Sequence, residues 1–308
     1  MQVPAFTQSC DFSTDALEGR TWDAVIDTSG YIPANVSAAA RQLAHAVGQY
    51  VFISSISVYP DVSVPGLDES APVSTLTPEQ LREAQSITPP ARGVVARIYG
   101  ELYGGLKALC EQATAEALPG RTLTIRPGLI VGPYDYSDRF TYWVARIARG
   151  GEILVPGRPE HTMQLIDVRD LAAWTIRMVE AGQMGTYNAT GPTQPLTMAE
   201  VLTACQSNGA HNLTLTWVDE AFLLAEKIQP WGQLPLWLPE TPENAGFAAI
   251  SITRALHAGL TFHPLSETCA ATLNWERTLP EHREWQAGLT ASDEERLLKT
   301  WHKQANTH

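Results

Sequence analysis

The chain lacks most of the features that mark a specialised protein class. No stretch approaches ~18 uninterrupted apolar residues, the length a membrane-spanning helix needs. The opening residues, Met1-Gln2-Val3-Pro4-Ala5-Phe6-Thr7, hold no basic segment followed by an apolar run, so no secretory leader is read there. The four cysteines (Cys10, Cys110, Cys205, Cys269) stand far apart with no C-x-x-C, a spacing that suits reduced thiols rather than a disulfide scaffold. Eight histidines give no H-x-x-x-H or H-E-x-x-H, so no metal site is expected. No G-x-S-x-G occurs, which argues against a serine hydrolase. Lys/Arg runs are missing too, and 21 basic against 33 acidic residues leave a net charge of −12. Such a chain repels phosphate backbones and anionic membranes. The expectation is a soluble, cytoplasmic protein with a small-molecule substrate and no nucleic-acid or membrane partner.

What is present is ordinary globular material. An apolar fraction of 44% and a charged fraction of 18% over 308 residues provide one large core or two moderate ones. Trp22–Gly30 reads as a short buried strand entering a small-residue turn, residues 34–48 as an alanine-rich helix, and Tyr50–Ser55 as a second strand. Strand, helix and strand within about 30 residues make a βαβ unit and imply a parallel sheet covered by helices. Residues 60–98, rich in Pro, Ser, Thr and Glu, read as a surface excursion with one short helix near Pro78–Ala84. Further strands are read at Leu123–Pro133 and Gly185–Pro192, and helices at Phe140–Arg149, Asp170–Glu180, 196–207, 219–226 and 290–305.

Chemistry concentrates in Tyr103-Gly104-Gly105-Leu106-Lys107 and in Val51-Phe52-Ile53-Ser54-Ser55. On a helix, Tyr103 and Lys107 at i and i+4 share one face. An ammonium near a phenol lowers the phenol's pKa and lets it pass protons near neutrality. A serine at a neighbouring strand end can hold the substrate oxygen. The pairing alone is modest evidence, since 9 tyrosines and 4 lysines in 308 residues give ~0.12 such pairs by chance. A surface Tyr/Lys pair is the plain alternative.

The order of motifs adds the rest. Val25-Ile26-Asp27-Thr28, Phe52 to Tyr59, Tyr103 to Lys107, Arg126-Pro127-Gly128-Leu129-Ile130-Val131-Gly132-Pro133, Leu165 to Ala172 and Tyr187-Asn188-Ala189-Thr190-Gly191 follow one another. In this the chain resembles the extended (atypical) short-chain dehydrogenase/reductases, the NAD-dependent epimerase/dehydratase family. The resemblance covers roughly residues 20–205 and implies an α/β fold with a Rossmann-like doubly wound parallel sheet. Residues 1–133 and 165–192 would form a partial NAD(P)-binding domain, and 134–164 with 193–308 a smaller mixed α/β substrate-binding region. It implies NAD or NADP as cofactor and a hydroxyl or carbonyl of a small molecule, such as a nucleotide sugar, as substrate. Tyr103 would be the acid/base, Lys107 would tune it and hold the nicotinamide ribose, and Ser55 would orient the reacting oxygen. Thr28 and Ser29 would lie by the cofactor, with Pro127 and Ile130 bordering the nicotinamide. Turn residues are the alternative for Thr28 and Ser29; for Asp167 and Asp170 a helix N-cap and a structural ion pair are expected ahead of catalysis.

After the Gly132-Pro133 turn, Arg139 and Tyr142 are substrate-side candidates, with a solvated arginine as the alternative. His161 reads as a loop histidine. One family element is missing from the sequence. No G-x-x-G-x-x-G phosphate loop occurs, and the glycines before residue 50 are Gly19, Gly30 and Gly48. The loop would belong to a nucleotide-binding portion of roughly 60 residues, two strands with their helices, upstream of Trp22. The expectation is a sheet with exposed apolar edges, weak or no cofactor affinity, and a tendency to form homodimers or aggregate. A relative that keeps the fold without turnover, regulatory or RNA-binding, is the competing expectation.

Overall fold

The computed structural model describes residues 19–87, 95–206 and 212–305. Cys10, His211 and His308 lie outside them. In chain order the elements are β1 (Trp22–Asp27), α1 (Pro33–Leu43), β2 (Val47–Ile53), α2 (Pro78–Ser86), α3 (Val95–Tyr99) and α4 (Leu102–Ala117). Then come β3 (Thr122–Pro127), β4 (Leu129–Val131), α5 (Thr141–Ala148), β5 (Gly151–Pro156), β6 (Thr162–Met163) and β7 (Leu165–Asp167). The remainder is α6 (Val168–Glu180), β8 (Gly185–Ala189), β9 (Leu196–Thr197), α7 (Met198–Gln206), β10 (Leu213–Val218), α8 (Glu220–Ala225), α9 (Thr253–His257), α10 (Leu265–Glu276) and α11 (Ala291–Ala305).

Four strands form one parallel sheet in the order β1-β2-β3-β8. The α/β class and parallel sheet expected from the βαβ pattern are what the chain adopts. Val51, Leu123 and Ile125 on one face pack with Trp174 and Met178 of α6, while Tyr50 and Phe52 on the other pack with Val36, Ala40 and Cys110 of α1 and α4. A third core gathers α5, α7, β5, β10 and α11 around Trp143, Trp237 and Leu297. Burying one such large side chain contributes about 1.5–3 kcal/mol.

Among the boundaries that differ from expectation, two have a direct physical cause. The helix expected over 34–48 stops at Leu43, because Val47 and Gly48 already belong to β2, where Val47 pairs with Trp22. The strand expected over Leu123–Pro133 divides at Gly128. A Cβ there would lie 2.3 Å from the Thr190 Oγ1, so only glycine lets the chain pass that close. The severed piece, β4, pairs with β7 instead.

The two rims of the sheet are finished differently. On β8, the Thr186 carbonyl accepts from Arg254 at 2.9 Å and the Asn188 N–H donates to Glu69 at 2.7 Å, so side chains occupy the outer edge. Among the described residues β1 has a partner on one side alone, and its Ile26 is 37% exposed, as expected for an apolar edge.

Candidate active site

The site rests on how α4 meets the end of β2. After Ile53 the chain turns through Ser54-Ser55 into a short helical turn at Ile56–Val58, which Ser55 caps by accepting the Ser57 N–H at 3.0 Å. Helix α4 lies directly on that turn. A Cβ on Gly104 would stand 2.1 Å from the Ser57 carbonyl oxygen, and one on Gly105 2.5 Å from Leu76. Each glycine costs the helix about 1 kcal/mol relative to alanine. The pair is what lets Tyr103 reach Ser55.

Lys107 follows one turn later and is 1% exposed. Its Nζ donates to the carbonyls of Gly30 (2.8 Å) and Ile53 (2.6 Å) and sits 4.2 Å from the Phe52 ring centre. The lysine therefore ties α4 to the ends of β1 and β2. Around these residues opens a cleft of about 1560 Å³. Thr28, Ser55, Tyr103, Lys107, Pro127, Ile130 and Arg139 all line it. It lies at the carboxyl ends of β1, β2 and β3, where parallel α/β sheets bind ligands.

Two expected residues are not in the lining. Ser29 is exposed and bonds back to Asp27 (2.9 Å), which suits the turn alternative. Tyr142 is 3% exposed and packs edge-on against Trp143 and Trp285. It sits in the first turn of α5 and faces the core, while Arg139, three residues earlier, faces the cleft. Asp167 and Asp170 do structural work: Asp167 caps α6 through the Arg169 N–H at 2.8 Å, and Asp170 binds His263. His161 lies 3.5 Å from Glu240, outside the cleft lining.

Residues 101–190 match the model of the NAD dependent epimerase/dehydratase family. That segment runs from Glu101, just before Tyr103, to Thr190. The resemblance carried by the motifs is thus found again by comparison. No curated protein matches the chain. Among solved structures, the UDP-glucuronic acid 4-epimerase of Bacillus cereus bound to NAD aligns with 79% of this chain and 66% of its own, at 13% identity and TM-score 0.53. The alignment thus leaves about a third of that enzyme unmatched. A putative epimerase of Burkholderia cenocepacia aligns at 17% identity, 83% and 76% coverage, and TM-score 0.54. RMD of Pseudomonas aeruginosa, complexed with NADPH, does so at 17%, 85% and 84%, and 0.51. At such identities the shared property is the fold.

In the cleft the electrostatics depart from expectation. Burial pushes the Tyr103 phenol up to about 12, a hydrogen bond with Ser55 pulls it back, and the nearby cation that lowers it is Arg139. The expected lowering by Lys107 is not seen, because that ammonium is turned toward two carbonyls and the Phe52 face. Arg139 holds its Cζ 5.3 Å from the Trp231 ring, and its Nε is buried with no hydrogen-bond partner among the described residues. Tyr31, whose ring lies 6.5 Å from that of Tyr103, and Trp231 complete an aromatic wall that no sequence spacing announces.

Burial also brings Lys107 down from 10.5 to about 8. Between those values the unfolded chain binds the proton that the folded chain has released, so this group makes stability rise with pH from about 8 to 10.5. The expected size is up to about 3 kcal/mol. It is read as the pH-dependent part of the stability difference between the wild type and Lys107→Met. A difference independent of pH across that window would show Lys107 titrating normally.

Proposed function

We propose that the chain is an NAD(P)-dependent oxidoreductase, epimerase or dehydratase acting on a hydroxyl or carbonyl of a small molecule. A nucleotide sugar is the favoured class, because the similar folds include a UDP-N-acetylglucosamine 4-epimerase bound to UDP-N-acetylmuramic acid. One observation carries the reading: Ser55, Tyr103 and Lys107 share one cleft at the carboxyl ends of the sheet. Ser55 orients the reacting oxygen, and Tyr103 takes or returns its proton. Lys107, locked by two carbonyls, fixes the spacing between α4 and the strands. Arg139 lines the cleft with an unpartnered Nε, and a guanidinium there suits an anionic substrate group. A cytoplasmic location belongs to the same reading.

The lining fits one end of a nicotinamide dinucleotide. Lys107 and Tyr103 would hold the ribose, with Thr28, Pro127 and Ile130 beside the ring. Bound there, the nicotinamide supplies hydride acceptance. For the pyrophosphate end the sequence has no glycine-rich turn whose N–H groups would cradle it. Affinity should therefore be low. Calorimetric and fluorescence titration of the 308-residue chain with NAD(H) and NADP(H) is expected to give a Kd nearer 1 mM than 1 μM, about −4 rather than −8 kcal/mol. Micromolar binding would show that other groups cradle the phosphates.

A second reading, a relative that keeps the fold without turnover, draws on the strongly raised Tyr103 phenol. No binding of either dinucleotide would favour it. The net charge of −12 weighs against RNA as its ligand, and salt-dependent RNA retention would reverse that judgement.

A further inference from the structure

Two cysteines far apart in sequence meet in the fold. Cys205, in the last turn of α7, and Cys269, in α10, bring their sulfurs to 3.3 Å while 64 residues apart. Both are free thiols and both are buried. The face that α10 presents is fixed by the neighbouring residue: the Thr268 hydroxyl donates to the α6 cap Asp167 at 2.7 Å. Cys110 belongs to a different core, beneath the sheet.

We propose that Cys205 and Cys269 form a reversible intramolecular disulfide, cross-linking α7 to α10, when the chain meets a small-molecule disulfide such as oxidised glutathione. The covalent S–S length is about 2.05 Å, so the sulfurs need approach by only ~1.3 Å, within the play of two packed helices. The chemistry is two successive exchanges. The Cys205 thiolate attacks one sulfur of the small disulfide and expels a thiolate. Cys269, deprotonated in turn, attacks the Cys205 sulfur of the mixed disulfide and expels the second. The two electrons lost by the protein thiols reduce the small disulfide, and the two protons go to the departing thiolates. Entry is at Cys205, next to the last residue of α7, where helix ends open most readily. Its contact with Cys269 and its burial push that thiol up, so the exchange is slow at neutral pH and faster in alkali.

The whole chain is incubated with oxidised glutathione in mildly alkaline buffer, quenched in acid, alkylated and mapped by mass spectrometry without reduction. The expected product is a linked pair of peptides carrying Cys205 and Cys269, lighter by two hydrogens and separated by dithiothreitol. Closing a 64-residue loop should also raise the melting temperature by several degrees, on the order of 5 °C. Cys205→Ser and Cys269→Ser should each abolish the link, and Cys110→Ser should keep it. Both thiols left reduced after prolonged exposure, a stable glutathione adduct on either, or a bridge to another cysteine overturns the proposal. The wild-type map decides the matter even if a serine variant fails to fold.

Discussion

Glu111→Ala is expected to destabilise the fold by about 3–5 kcal/mol, the usual cost of stripping one partner from a buried ion pair. Glu111 stands one turn beyond Lys107 on α4. It meets the Arg126 guanidinium through two bonds, Nε to Oε1 at 2.9 Å and Nη2 to Oε2 at 2.7 Å, with the Arg126 side chain 6% and the Glu111 side chain 11% exposed. The Ser54 hydroxyl donates to the same carboxylate. On the far side Arg126 donates to the Tyr59 hydroxyl at 3.0 Å, and Tyr59 donates to Asn188 at 2.7 Å. The chain of bonds thus crosses from α4 through β3 to β8. Its members neighbour Ser55, Lys107 and Pro127 in sequence, so its loss should loosen the cleft as well. Urea unfolding provides the measurement. The double replacement Glu111→Leu with Arg126→Met should lie nearer the wild type than either single one, because it leaves no charge stranded. A cost below about 1 kcal/mol for Glu111→Ala would mean that water reaches the pair.

Tyr103→Phe is expected to lower turnover by about 10²–10⁴-fold, the usual contribution of a positioned proton-transfer group. The assay is a panel of nucleoside-diphosphate sugars with NAD(P), and the comparison uses whichever substrate the wild type turns over. In the oxidative direction the phenolate is the active form. With the phenol at about 12, its fraction and hence kcat/KM should climb about tenfold per pH unit below that value. The Phe variant should lose this slope. Retention of both rate and slope would move the proton-transfer role to another group. A panel with no turnover at all favours the non-catalytic reading.

How far the residues alone reach is plain from particular cases. The buried run Val51–Ile53 ending in two serines, and the i, i+4 spacing of Tyr103 and Lys107, report local geometry, so the convergence at the cleft was legible. So was the role of Asp167, since an aspartate before a helix is a capping signal in itself. Contacts that depend on distant packing were not. β5 and β10 pair in parallel across some sixty residues, and neither six-residue run distinguishes itself from a loop edge. Arg139 and Tyr142 sit three residues apart, yet only the docking of α5 decides which one sees the cleft. The Tyr103 phenol was expected to fall and instead rises, because desolvation depends on everything packed around it. The meeting of Cys205 and Cys269 follows from α7 lying on α10, which no spacing rule predicts.

The unequal rims of the sheet limit how this molecule can associate. A strand offered to β8 finds the Thr186 carbonyl and the Asn188 N–H already spoken for by Arg254 and Glu69. A strand offered to β1 meets no such obstruction among the described residues. Growth by strand addition is therefore one-ended. Two copies joined edge to edge through β1 would leave this four-stranded sheet no further free edge among the described residues, so pairing through it closes as a pair.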